Sequence, residues 1–154
     1  MKNLIVYFSW SNNTKKLIEE VNIRFNFDVI RIERKNPYSK DYNQCAYVEA
    51  KEEVEKGIHP EIRKLNTNFQ DYDNILLFFP IWWYTFPMPI GTFIEQLGEF
   101  KGQVYIFANS YTNDPQYMVN SMKDCKKINS NIQFKEALFN KNIEEHIKFI
   151  GGLK

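Results

Sequence analysis

Leu4-Ile5-Val6-Tyr7-Phe8-Ser9-Trp10-Ser11-Asn12-Asn13-Thr14 opens with five consecutive apolar residues and passes at once into short polar side chains. The apolar run has strand length, and its lack of alternation marks a strand covered on both faces. Beyond Thr14 the period changes. Leu17, Ile18, Val21 and Phe25 fall on one helix face, against Lys15, Lys16, Glu19, Glu20 and Arg24 on the other. Strand, polar turn and amphipathic helix form the first part of a βα unit, which predicts a parallel sheet flanked by helices.

Four further runs repeat the theme at Val29 to Ile32, Ile75 to Phe79, Val104 to Ala108 and Ile132 to Leu138. The runs around Ile5, Leu77 and Ile106 are continuously apolar and read as central strands, whereas those near Val29 and Phe134 alternate with charge and read as edges. Between them, Tyr42 to Lys56 reads as a charged helix ended by Gly57. Pro87 to Gly98 reads as an apolar helix with prolines in its first turn. Asp114-Pro115 reads as a cap and first turn leading through Tyr117, Met118 and Met122. The last helix is expected over about Asn142 to Ile150, closed by Gly151-Gly152. Right-handed crossovers between five such strands give an α/β, doubly wound, three-layer sandwich. The order 2-1-3-4-5 sets the apolar first, third and fourth strands centrally and places a ligand beyond their carboxyl ends.

Bulk properties limit the alternatives. With 154 residues, 44% hydrophobic and 25% charged, a single globular domain over 1–154 is expected. A formal net charge of +1 gives no electrostatic reason for a nucleic acid or an anionic membrane as partner. Cys45 and Cys125 lack the paired spacing of a zinc or redox site, so reduced thiols are expected. The apolar run after Met1 is too short for a signal-peptide core or a membrane span, and a cytoplasmic setting is the expectation. His59 and His146 have polar or charged neighbours and read as surface residues; Glu49, Glu52, Glu53 and Glu55 read as a solvated helix face.

Three strand-end loops carry the chemistry. Ser9, Trp10, Ser11, Asn12, Asn13 and Thr14 lead into a helix whose first N–H groups and dipole favour a dianionic phosphate, although such a turn serves equally well as a plain cap. Neither a P-loop nor a dinucleotide glycine pattern is present. Pro80, Ile81, Trp82, Trp83, Tyr84 and Thr85, continuing into Phe86-Pro87, place four large rings at a sheet edge, where they either close over the core or stack on a planar ligand. Adjacent residues project differently, so one of Trp82 and Trp83, or Tyr84, is expected to face a ligand. Asn109, Ser110 and Tyr111, followed by Thr112-Asn113-Asp114, offer donors and acceptors or simply a solvated turn.

With these motifs the chain resembles the flavodoxin family, in particular its short bacterial branch. The resemblance runs nearly end to end. It is carried by Val6-Tyr7-Phe8-Ser9 with Ser11, Asn13 and Thr14, by Asn36-Pro37-Tyr38-Ser39 with Asp41-Tyr42, and most specifically by Pro80-Ile81-Trp82-Trp83 with Pro87-Met88-Pro89. It implies the flavodoxin-like fold and non-covalent FMN, with the phosphate on Ser9, Ser11, Asn13 and Thr14. It also implies a ring beside Trp82 to Thr85 and contacts from Asn109 to Tyr111. Asn12 and Tyr84 stand where the family usually has glycine, and Asn tolerates the left-handed region better than most side chains.

An FMN-binding electron-transfer protein serving a redox partner protein or a small acceptor is the first expectation, as a monomer or weak dimer. An FMN-dependent NAD(P)H reductase acting on quinone-type acceptors is the alternative. A flavin-free interaction module is the third; a receiver domain is disfavoured because the first and third strands end in Ser9 and Pro80-Ile81-Trp82 rather than in an acidic cluster. Carriers of this fold are typically acidic and this chain is not, so its reduced, anionic flavin is expected at a less negative potential.

Overall fold

The computed structural model describes residues 1–153. Five strands, β1 (Asn3–Tyr7), β2 (Asp28–Arg31), β3 (Asn74–Pro80), β4 (Gln103–Asn109) and β5 (Gln133–Phe139), pair in parallel in the order β2-β1-β3-β4-β5. This is the predicted sheet, with each strand within a residue or two of its apolar run. The helices are α1 (Asn13–Asn22), α2 (Lys51–Lys56), α3 (Met88–Gln96), α4 (Gln116–Ile128) and α5 (Ile143–Gly151).

Alternation within the strands splits the core into two layers. Leu4, Val6, Ile75, Leu77, Phe79 and Ile106 point toward α3 and α4, where Ile90, Phe93 and Ile94 cover them. Ile5, Tyr7, Leu76, Phe78 and Phe107 point the other way, onto Ile18 and Val21 of α1 and Ile150 of α5. The central strands are thus buried on both faces, which is why their sequences carry no alternation, whereas β2 and β5 stay partly exposed at the edges.

Three expectations on the flanking helices change. The stretch read as one helix over Tyr42 to Lys56 is helical throughout, but over Gln44–Ala50 it is a π-helix, with α-helical backbone before it at Tyr42 and Asn43 and after it over Lys51–Lys56. Gly57 ends it as predicted, at φ 63°, with the Ile58 N–H donating to the Glu53 carbonyl at 2.8 Å. Its acidic residues do not share one solvated face. Glu52 and Glu55 are exposed, but Glu53 is buried and Glu49 half-buried, because Arg34 lies beneath them and bonds to both. His146 is likewise not a surface residue. It is buried against Phe78 and Phe107 at ring distances of 6.0 and 5.8 Å, and its Nδ1 meets the Asn142 carbonyl at 2.7 Å. His59 does lie near the surface, half-buried and bonded to Glu95.

Candidate functional site

The three loops meet at the carboxyl ends of β1, β3 and β4, and Asn109 joins them. Its carbonyl accepts the Ile81 N–H at 2.8 Å and its side-chain amide donates to Thr14 Oγ1 at 3.4 Å. The parallel register that sets Pro80 opposite Asn109 makes this possible.

In the first loop, Asn12 adopts the left-handed conformation (φ 70°, ψ 7°) required for the chain to turn from β1 into α1. This resolves the substitution of Asn for Gly, since a short amide side chain tolerates that region. Arg31 braces the turn, its Nη2 donating to the Ser9 carbonyl at 2.9 Å and to Asn12 Oδ1 at 3.3 Å. No side chain caps α1, and its first turn holds no acidic residue. Among the described residues, none of the N–H groups from Ser11 to Lys15 donates to an acceptor in the chain. These open amides at the positive end of a helix form a concave donor set suited to an anion. Ser9 and Thr14 lie buried beneath it, while Ser11, Asn12 and Asn13 are exposed. Trp10 leaves the nest and donates Nε1–H to the Ser39 carbonyl at 3.1 Å.

The second loop is a tight reversal. Trp83 and Tyr84 both have positive φ, 51° and 74°, and Trp82 and Thr85 exchange backbone hydrogen bonds across them. Two consecutive left-handed residues define a type I′ turn, which glycine and asparagine normally fill. Holding Trp and Tyr there costs on the order of 1–3 kcal/mol each. Among the described residues, the N–H groups of Trp83 and Tyr84 donate to nothing, whereas that of Thr85 returns to Trp82. Trp82 packs edge-on against Phe8 and Tyr38, at 5.1 and 5.2 Å. Trp83 gives its indole N–H to the Ala46 carbonyl at 2.7 Å, and Thr85 is buried, donating to Asp124. Tyr84 is 61% exposed and its ring is the most open of the four.

The third loop is held from behind. Asn140, itself left-handed at φ 54°, accepts the Ser110 N–H at 2.6 Å through its side chain. Tyr111 stands free in solvent and joins neither of the other loops. Pro80 ends β3 and Ile81 follows it, both half-buried.

Several residues outside these loops shape the site: Arg31, Tyr38, Ser39, Ala46 and Asn140. For Tyr38 and Ser39 the signal was their presence in a motif that carries the resemblance. Both cysteines are free and buried, and burial, with Glu49 second, pushes the Cys45 thiol up to about 12, which leaves it unreactive. No metal-binding group of side chains occurs among the described residues, and no helix among them is long and apolar enough to cross a membrane.

A doubly wound sheet with three loops gathered at its switch point defines a class of α/β proteins that bind their ligands there. Residues 2–149 match the family model described as Flavodoxin, and the chain belongs to the flavodoxin family. The fold is shared with a Lactobacillus acidophilus flavoprotein solved in complex with FMN (22% identity, TM-score 0.80, covering 97% of this chain and 98% of that one). A Bacteroides eggerthii protein assigned as a flavoprotein superposes equally well (26% identity, TM-score 0.80, 96% and 93% coverage). In sequence, 105 residues are 21% identical to an uncharacterised NAD(P)H oxidoreductase, YcaK, of Escherichia coli K12; the match spans 63% of this chain but only 54% of that protein.

Proposed function

We propose that this protein binds FMN and transfers electrons through it, with Ser9 to Thr14 taking the phosphate. The open N–H groups from Ser11 to Lys15 carry this reading, because a buried-walled donor set without a side-chain cap leaves an anion as the natural partner. The unengaged N–H groups of Trp83 and Tyr84 suit the polar edge of a flavin, and Trp82 and Tyr84 supply apolar and aromatic surface beside it. Bound FMN supplies one- and two-electron chemistry; the chain binds it, orients it and keeps one side dry. Asn109 holds the phosphate and ring ends of the site at a fixed spacing through its bonds to Thr14 and Ile81.

Titration with FMN and with riboflavin tests the reading. Two or more charge-assisted hydrogen bonds to the phosphate are worth about 3 kcal/mol or more, so riboflavin should bind at least about a hundredfold more weakly. FMN whose fluorescence is unchanged at excess protein would overturn the proposal.

The similarity to an NAD(P)H oxidoreductase favours a second reading, an FMN-dependent reductase of quinone-type acceptors. The fully solvated Tyr111 and the exposed Tyr42, Tyr47 and Tyr84 leave the site mouth rich in aromatic surface for a planar molecule. Rapid NAD(P)H oxidation in the presence of a quinone favours the reductase, and its absence the carrier.

A further inference from the structure

The segment after β2 carries a buried charge cluster that touches none of the three loops through its charges. Arg34 donates to Glu53 and Glu49, at 3.1 Å each, and lies 3.7 Å over the ring of Tyr38. The Tyr38 hydroxyl donates to the second oxygen of Glu53, and the Ser39 N–H donates to the second oxygen of Glu49 at 2.8 Å. One guanidinium thus organises two carboxylates, and each carboxylate reaches on to the segment 38–39. Burial holds the Tyr38 phenol far above its ordinary range, with the Glu53 bond reinforcing it, so the hydroxyl remains a donor.

Three contacts run from this segment to the candidate site. The Tyr38 ring packs on Trp82 and Phe8. Trp10, from the first loop, ends on the Ser39 carbonyl, and Trp83, from the second, ends on the Ala46 carbonyl. All three tryptophans of the chain therefore rest on residues 38–46, the first two of which are held from below by Glu53 and Glu49 on Arg34. The π-helical turn over Gln44–Ala50 lies in the same stretch, a geometry that recurs where function demands an irregular backbone.

We propose that Tyr38, Glu53 and Arg34 are positioning residues, which set the orientation of Trp10, Trp82 and Trp83 and through them the aromatic wall against the flavin ring. The inference rests on the FMN reading for its consequence, but its structural half stands on the tryptophans alone. The open N–H groups from Ser11 to Lys15 bond to nothing in the cluster, and the first loop meets this segment through the Trp10 indole, which has left the nest, so the ring end of the site should respond most.

The test uses the full chain carrying Tyr38→Phe or Glu53→Gln, each nearly isosteric. Far-UV circular dichroism should be unchanged, while the near-UV tryptophan bands of the flavin-free protein change. FMN affinity should fall about tenfold, the effect of one lost hydrogen bond transmitted to the site. The FMN midpoint potential should shift, and the ratio of FMN to riboflavin affinity should stay at the wild-type value. Combined with Trp82→Phe, Tyr38→Phe should lose less affinity than the product of the two single losses. Folded variants with wild-type tryptophan bands, affinity and potential would overturn the proposal, as would strict additivity with Trp82→Phe. If the wild-type protein binds no FMN, the functional reading has failed, and the near-UV bands alone decide: changed bands uphold the positioning role and unchanged bands refute it.

Discussion

The nest at Ser11–Thr14 and the segment anchored by Arg34 lie on the same edge of the sheet and treat polar groups in opposite ways. The nest leaves consecutive backbone donors open at a helix terminus, on the exposed Ser11, Asn12 and Asn13 and the buried Thr14. The segment pairs nearly everything: Arg34, Glu49, Glu53 and Tyr38 are all engaged, and no buried side-chain polar atom among the described residues lacks a partner. Unpaired donors that remain near water keep their bonding capacity for a ligand, whereas buried charges must be satisfied within the chain. The two regions therefore differ in what a mutation should chiefly remove: binding in the nest, and stability, with only an indirect effect on binding, in the paired segment.

The largest expected effect falls on the paired region. Arg34→Ala leaves the buried Glu53 and the half-buried Glu49 without their cation and should cost about 3 kcal/mol, measured by chemical denaturation. Asn13→Ala in the nest removes an exposed side chain that makes no cap bond and should change stability by under about 0.5 kcal/mol. A loss below about 1 kcal/mol for Arg34→Ala would break the contrast, because exposed ion pairs are worth no more than that.

Asn13→Asp sharpens the contrast from the other side. The change keeps shape and adds one negative charge at the start of α1, where it favours the helix dipole by about 0.3–1 kcal/mol. The flavin-free protein should melt slightly higher. A carboxylate within the nest repels a phosphate, and FMN affinity should fall at least about tenfold. Loss of affinity together with a gain in melting temperature is the signature of a ligand site; no fall in affinity would place the phosphate elsewhere.

Asn12 tests the backbone of the nest. At φ 70° an alanine is strained, so Asn12→Ala should destabilise by about 1 kcal/mol, and Asn12→Gly should be close to neutral. Equal effects from the two would show that the bond from Arg31, rather than backbone conformation, accounts for the residue.

The same contrast explains what was legible in the sequence. Strands covered on both faces write themselves as unbroken apolar runs, and the polar turn after Phe8 marks its own position, so the sheet and the three loops could be read directly. Glu49 and Glu53 could not. Their neighbours Glu52, Glu55, Lys51 and Lys56 are charged and exposed, and the partner that buries them, Arg34, is distant in sequence and belongs to another element. One signal was present: Cys45, Glu49 and Glu53 recur at intervals of four, in line with a buried stripe. His146 is a similar case. It continues the stripe from Ile143 to Ile150, and only its charged neighbours Glu144, Glu145 and Lys148 made it look exposed.

His146 also provides the smallest and most diagnostic effect, because it lies behind the nest, where a small cavity is lined by Thr14, Phe78, Asn109, Lys141 and His146. Burial lowers its pKa below the ordinary 6.5, partly opposed by the Asn142 carbonyl and Glu145. The folded chain then binds fewer protons than the unfolded one between the lowered value and 6.5. Stability contributed by neutral His146 is complete above pH 6.5 and is lost as the pH falls through that window, with a slope of at most about 1.4 kcal/mol per pH unit. Glu53 acts in the opposite sense. Burial raises its pKa above the ordinary 4.5 despite the bonds from Tyr38 and Arg34, so its ionised form weakens the fold as the pH rises through that range. The stability of His146→Phe, measured by denaturation from pH 7 to pH 5, should therefore rise relative to wild type as the pH falls. Glu53→Gln should show the reverse trend. A pH-independent difference between His146→Phe and wild type would mean that His146 titrates alike in both states, and that the layer behind the nest admits water as freely as the nest itself.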